Sequence, residues 1–227
     1  RPIETSDLIR IGRANDGGYV ISKKIFSLCD GLLSYGINKD WSFEKDFWKK
    51  NPNAIIHCYD HSVSFLRLFV FTLKSLFLSI VRLILFDRKR FKKEFLGLFV
   101  IPDYFYFFQK SRVYFKNRIW ISNDKNNKTI ENTLIEIHSS GAKNIFLKMD
   151  IETAEYKVLE DIFKTQKNIV GMAIEFHKID EYSNEFNLLI DKILKDFYIV
   201  HSHGNNYGKL FGKNTRLYIP VYLAVSL

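Results

Sequence analysis

Apolar positions along the chain gather into short continuous runs separated by amphipathic stretches. The runs cover residues 31–35, 54–59, 118–122, 144–149, 170–176, 198–202 and 220–227. Several lack the alternation of a half-exposed strand, which is the pattern of strands buried on both faces. Between them the spacing predicts helices over 43–50, 130–139, 154–165 and 184–196. Thr129 is placed to cap the second of these and Gly141 to end it. Strand and helix alternating in this way predict an α/β fold, a mostly parallel sheet with helices on both faces.

One segment, 61–118, breaks the pattern. Residues 65–86 are almost all apolar except Arg67, Lys74 and Arg82, and those three cations fall within roughly 80° of each other on a helical wheel. Each would cost about 2.5–3.5 kcal/mol at a bilayer centre, and a span here would cut the sheet in two. A transmembrane helix is therefore rejected. The expectation is an amphipathic helical insertion, acting as a lid over a cleft or lying on an anionic membrane surface. The DRKRFKK stretch that follows, 87–93, suits both. The plainest alternative is a helical hairpin that shields the sheet behind a solvated basic face.

Charge sharpens this picture. The chain of 227 residues has a net charge of +9, and 61–118 holds twelve Lys or Arg against three Asp or Glu, leaving 22 of each elsewhere. A neutral body with one basic segment argues against a general nucleic-acid surface. The length predicts a single domain, 1–227, with a sizeable core. Two cysteines, Cys29 and Cys58, suggest a reduced compartment. The start of the chain lacks a signal peptide's charged-then-apolar pattern, so the expected place is the cytoplasm, with peripheral contact at the inner face of the membrane.

Ligands of an open α/β sheet bind outside the carboxyl ends of its strands, so the residues after each run carry the candidate chemistry. After the first run Gly36 allows close backbone approach, and Asp40 and Ser42 can bond a ligand or cap a helix. The second ends at Asp60, where a carboxylate can accept the hydroxyls of a ribose. The third leads to Ser122-Asn123-Asp124, a cluster suited to an adenine amine. These tips favour a nucleoside site over plain turn residues. The fourth run presents Asp150, the fifth Glu175 and His177, and the sixth His201 and His203. Such a set can hold a divalent metal or supply a general base.

The stretch LKMDIETAEYKVL, with Asp150, Glu152, Ala154 and Glu155, resembles the strand-to-helix signature of FkbM-like proteins, a family of class I S-adenosylmethionine-dependent methyltransferases. The family usually has Gly where this chain has Thr153. NDGGY (15–19), SYGINKDWSFE (34–44), HGNNYG (203–208) and the run after Pro220 are similar to other parts of that pattern. The resemblance covers 10–61 and 118–227 and leaves the insertion outside. It implies a Rossmann-like, seven-stranded sheet with an antiparallel last strand. It further implies S-adenosylmethionine as cofactor, with Asp16 and Tyr19 closing over it. Gly36, Asp40 and Ser42 would meet its methionine part, Asp60 its ribose and Asp124 its adenine.

The function expected on that basis is O-methylation of a hydroxyl on a sugar or sugar nucleotide, such as a bacterial capsule or lipopolysaccharide precursor. Asp150, Glu175 and His177 are the expected catalytic residues, directly or through a divalent ion held by Asp150, Glu175 and His203. No nucleic-acid partner is expected, and the oligomeric state is left open. Two other readings compete: a nucleic-acid methyltransferase using the insertion as an arm, and a non-catalytic membrane-associated binding module.

Overall fold

A computed structural model describes residues 6–14, 18–165 and 168–202, and the backbone of 210–211, 215–216 and 221–222. Strands β1 (Leu8–Gly12) and β2 (Gly18–Ser22) form an antiparallel hairpin ahead of α1 (Lys23–Leu28). The body is a five-stranded parallel sheet of β3 (Gly31–Tyr35), β4 (Ile55–Tyr59), β5 (Arg112–Phe115), β8 (Ile145–Met149) and β9 (Ile169–Ile174), in the order β5-β4-β3-β8-β9. Helices α2 (Ser42–Lys50), α6 (Ile130–Ser139), α7 (Glu155–Thr165) and α8 (Ser183–Ile193) connect and cover it. Two short strands, β6 (Arg118–Ile119) and β7 (Asn127–Lys128), pair separately in parallel.

Period-two alternation sends each strand's side chains to two cores. Leu33, Leu147, Met172 and Ile174 pack against α6, α7 and α8. Leu32, Ile56, Phe146 and Ala173 pack on the other face with α1, α2 and the β1–β2 hairpin. Burial on both faces is why β3 and β8 read as unbroken apolar runs. The predicted cap of α6 is present, since the Thr129 hydroxyl accepts from the backbone N–H of Asn132 at 3.2 Å.

Three expectations are corrected. The parallel sheet has five strands among the described residues, not seven. The pieces expected to complete it, β10 (His201–Ser202) and β13 (Val221–Tyr222), pair with each other antiparallel; β13 lies close to β9 without joining its ladder. Between them, β11 (Leu210–Phe211) and β12 (Thr215–Arg216) pair only with each other. The sheet's third strand in chain order is Arg112–Phe115, not 118–122, so the sheet resumes inside the segment read as insertion. Flanking cations hid that strand. Arg112 is buried yet satisfied, its Nε donating to the Phe107 carbonyl at 2.6 Å and its guanidinium stacked 4.0 Å over the Trp48 ring.

The remaining insertion folds as α3 (Phe65–Ile84), α4 (Arg88–Gly97) and α5 (Val100–Phe107). Ser64 and Asp87 cap the first two through their side chains. Helix α5 is anchored by Phe107 in the second core, and α3 contributes Leu68 there. The rest of α3 and all of α4 stay outside both cores. No helix among the described residues is long and apolar enough to cross a membrane.

Candidate active site at the carboxyl ends of the strands

Numbered by their order along the chain, the five parallel strands run 3-2-1-4-5 across the sheet. The strand order therefore reverses between the parallel neighbours β3 and β8, where a doubly wound sheet leaves a crevice. A cavity of about 1030 Å³ opens there. Gly36, Asp60 and Asp150, from the ends of β3, β4 and β8, form its floor. Arg67 and Lys74 of α3 and Lys93 of α4 form its roof. Lys39 and Arg118 add positive charge at its sides, and Glu152 lies beside Asp150. Glu94 and the apolar Leu66, Val70, Phe71 and Leu78 also line it, so an acidic floor faces a roof that is basic on balance and partly apolar.

Gly36 is required by a close approach, but to the protein itself. Its φ is +74°, and a Cβ there would lie 1.7 Å from the Asp150 carbonyl oxygen. Its own carbonyl accepts from the buried Lys148 Nζ at 2.5 Å. Asp60 is 7% exposed. Its carboxylate accepts from the backbone N–H groups of Asn38 at 2.7 Å and Ser62 at 2.6 Å, which fixes the two loops on either side. A carboxylate has about four lone-pair sites, so capacity remains on the cavity side.

Beyond the floor sits a histidine held by three acids. His177 Nε2 is 3.4 Å from Asp150 Oδ1 and 3.8 Å from Glu152 Oε2. Its Nδ1 meets Glu155 Oε1 at 3.1 Å, and its backbone N–H donates to the same oxygen at 2.7 Å. Tyr156 donates to the His177 carbonyl at 2.7 Å. The start of α7 is thereby clamped to the chain leaving β9. Burial alone would lower the His177 pKa, but the Glu155 hydrogen bond and charge, then Asp150 and Glu152, outweigh it and raise it to about 9. His177 is an imidazolium at neutral pH.

The turn between Asp150 and α7 is strained. Glu152 and Thr153 both adopt left-handed φ, +54° and +78°, a region that disfavours side chains and a β-branched one above all. Within this turn the largely exposed Glu152 carboxylate comes within 3.8 Å of His177 Nε2.

The structure brings together Gly36, Asp60 and Asp150 at the cavity, and His177 behind Asp150. Tyr19 lies apart with Glu175, its hydroxyl 3.5 Å from Oε2. Asp40 pairs with Arg13 at 2.9 Å and accepts from the Ser42 N–H at 3.0 Å. The Ser42 hydroxyl is buried and makes no hydrogen bond among the described residues. Asp124 is exposed and holds its own turn, accepting from the N–H groups of Asn126 and Asn127. His201 is half-buried, with burial and then the Arg10 charge lowering its pKa. Asp16, His203 and the HGNNYG motif lie outside the described residues.

Sequence reasoning missed Glu155 as the partner of His177 and Glu152 as its neighbour, because 22 residues and a helix separate the clamp's two halves. It also missed the individual cations of the roof, although the excess charge of the segment was the signal that pointed to them.

Asp150, Glu152 and His177 each offer a ligand atom, and these atoms lie within 4.8 Å of one another. The donor set, two carboxylates and one imidazole, fits a divalent transition ion. The buried Glu155 on Nδ1 is the outer partner that such a histidine ligand usually has. At neutral pH an ion would have to displace the Nε2 proton first. No family model matches the chain, and no significant match is found among curated proteins or solved structures.

Proposed function

We propose that the chain is an S-adenosylmethionine-dependent O-methyltransferase that acts on a hydroxyl of a sugar or sugar nucleotide, in making bacterial capsule or lipopolysaccharide precursors. The cytoplasm, at the inner membrane face, is the proposed place. One observation carries the reading: Gly36, Asp60 and Asp150 meet in one cavity at the point where the strand order of a 3-2-1-4-5 sheet reverses. A nucleoside with its ribose on Asp60 suits that position. The volume suits a nucleoside donor together with an acceptor. The resemblance of LKMDIETAEYKVL to the FkbM-like signature adds weight from outside the geometry.

The donor supplies an electrophilic methyl on a sulfonium. Aligning the acceptor oxygen with it can contribute ~7–11 kcal/mol. Asp150, on the cavity floor, takes the hydroxyl proton as general base. His177 does not line the cavity, so it acts through Asp150 as a positioning residue, its Nε2 turned to Oδ1. Glu175, beside Tyr19, holds the hairpin near the site in the same indirect way. Arg67, Lys74 and Lys93 offer a phosphate-bearing acceptor a cationic roof. A divalent ion on Asp150, Glu152 and His177 would add Lewis-acid polarisation of the hydroxyl.

Calorimetric titration with S-adenosylhomocysteine tests the cofactor, and methyl transfer to a panel of sugar nucleotides tests the acceptor. Saturable binding that weakens in Asp60→Asn is the expected result. No binding at millimolar ligand overturns the reading. Activity unchanged in excess chelator removes the metal and leaves Asp150 as the base.

A further inference from the structure

Helix α3 is turned inside out. Its buried residues are Leu68, Ser75 and Ser79, so small polar side chains make its inner face. Ser75 meets α4 at Gly97, where an added Cβ would lie 2.4 Å from the Ser75 hydroxyl. On the opposite side, about 120–180° round the helix from Ser75 at ~100° per residue, Phe69, Leu73, Ile80 and Ile84 are exposed. Among the described residues, 17 of the 23 exposed large hydrophobic side chains fall between Phe65 and Tyr106. Helices that meet through small residues and turn large apolar ones outward are the arrangement expected where the surrounding medium is lipid.

The hairpin tip makes the same point independently. Leu83, Ile84, Leu85 and Phe86 are all exposed, and Phe86 is 90% so. Phe86 also has φ +53°, a conformation that glycine or asparagine adopts at less cost. A strained phenylalanine therefore stands in water where a polar turn residue would be cheaper on both counts. Arg88, Lys89 and Arg90 follow at once, each exposed. Apolar tip and basic collar are adjacent.

We infer that the α3–α4 hairpin docks on an anionic lipid bilayer, its tip (83–86) and the outer stripe of α3 entering the headgroup boundary, with Arg88, Lys89 and Arg90 on the lipid phosphates. The charge of the chain supports this occupant over an apolar protein partner, because the hairpin, 65–97, holds eight Lys or Arg against two Asp or Glu, six of the chain's +9 excess. Neither helix is long and apolar enough to cross, α3 carrying three cations in its 20 residues and α4 having only 10, so the hairpin lies in the interface plane. Arg67 and Lys74 sit on the flank between stripe and cavity, which places the cavity mouth beside the bilayer. The inference is independent of the methyl-transfer reading, since docking needs no donor.

Co-sedimentation of the full chain with vesicles tests it. Equimolar phosphatidylcholine and phosphatidylglycerol should retain the protein at low salt at least roughly tenfold better than phosphatidylcholine alone, and high salt should release it. Replacing Arg88, Lys89 and Arg90 by Gln should weaken partitioning on the order of a hundredfold, at about fivefold per charge. Phe86→Asp should weaken it too, with circular dichroism and S-adenosylhomocysteine binding unchanged. The salt response uses the native chain and so needs no variant to fold. Failure to bind either vesicle overturns the inference. So does binding indifferent to salt and to all four substitutions. A dimer that dissociates in Phe86→Asp, without vesicle binding, would give the face to a second copy and overturn it as well.

Discussion

Phe146 on β8 lies wholly buried between Phe43 and Phe47, with ring centroids 6.4 and 6.1 Å away. Phe77 on α3, an equally apolar side chain, is 66% exposed. In the sheet body, apolar groups face inward on two sides of β3 and β8, and outside 61–118 the charges balance to zero. In the α3–α4 hairpin, apolar groups face outward, small ones face inward, and six of the nine excess positive charges collect. The same residue types therefore do opposite work, and hydrophobicity alone does not say which. What separates them is whether the opposite face of the element has an apolar partner.

The largest effect that could break this contrast is a matched pair of truncations followed by urea unfolding. Phe146→Ala should cost about 3–5 kcal/mol, as a buried aromatic leaving a cavity. Phe77→Ala should change stability by less than about 0.5 kcal/mol, as an exposed side chain. Comparable losses at both sites would mean that the hairpin is core after all.

Next in size is the seam between the two regions, where Asp150 lies under the basic roof. Asp150→Asn keeps the shape and removes the base, so kcat should fall about 10²–10⁴-fold while S-adenosylhomocysteine affinity stays within a few-fold. Near-normal turnover would separate the cavity floor from the chemistry.

A pH titration of stability sharpens the body's side of the comparison. The folded His177 pKa is raised to about 9 from the ordinary histidine value of 6.5. The clamp's contribution is therefore fully present below about pH 6.5 and is lost as pH rises through 9, on the order of 3 kcal/mol. Glu155→Gln should flatten that slope. A slope unchanged by the substitution would detach His177 from Glu155.

The smallest expected effect lies in the strained turn. Thr153→Gly should raise stability by about 0.5–1 kcal/mol, relief of left-handed strain exceeding the added chain entropy. A loss of stability, seen in thermal melts, would show the threonine side chain to be needed where it is.

Much of the body was legible in the sequence. Residues 31–35 and 130–139 were bounded as the structure has them, because each carries its period, and for the helix its cap, within itself. The four-residue strand at 112–115 was not, since Arg112 is acceptable there only because Phe107 and Trp48 come to meet it. The site divides in the same way. Asp60 and Asp150 could be named from their position after apolar runs. The adenine role read for Asp124 depended on the strand assigned to 118–122, which the sheet does not use.

By itself, then, the chain's order of residues determined most of the sheet body's element types, the two-sided burial of the central strands and the confinement of the excess positive charge to one segment. These follow from periods of 2 and 3.6 residues and from composition, which are local. Tertiary structure alone decided that the sheet runs 3-2-1-4-5, that His177 is charged by Glu155, and that α3 turns its apolar stripe outward. Each depends on contacts between residues distant in sequence, and burial or solvent exposure is settled only when those partners have met.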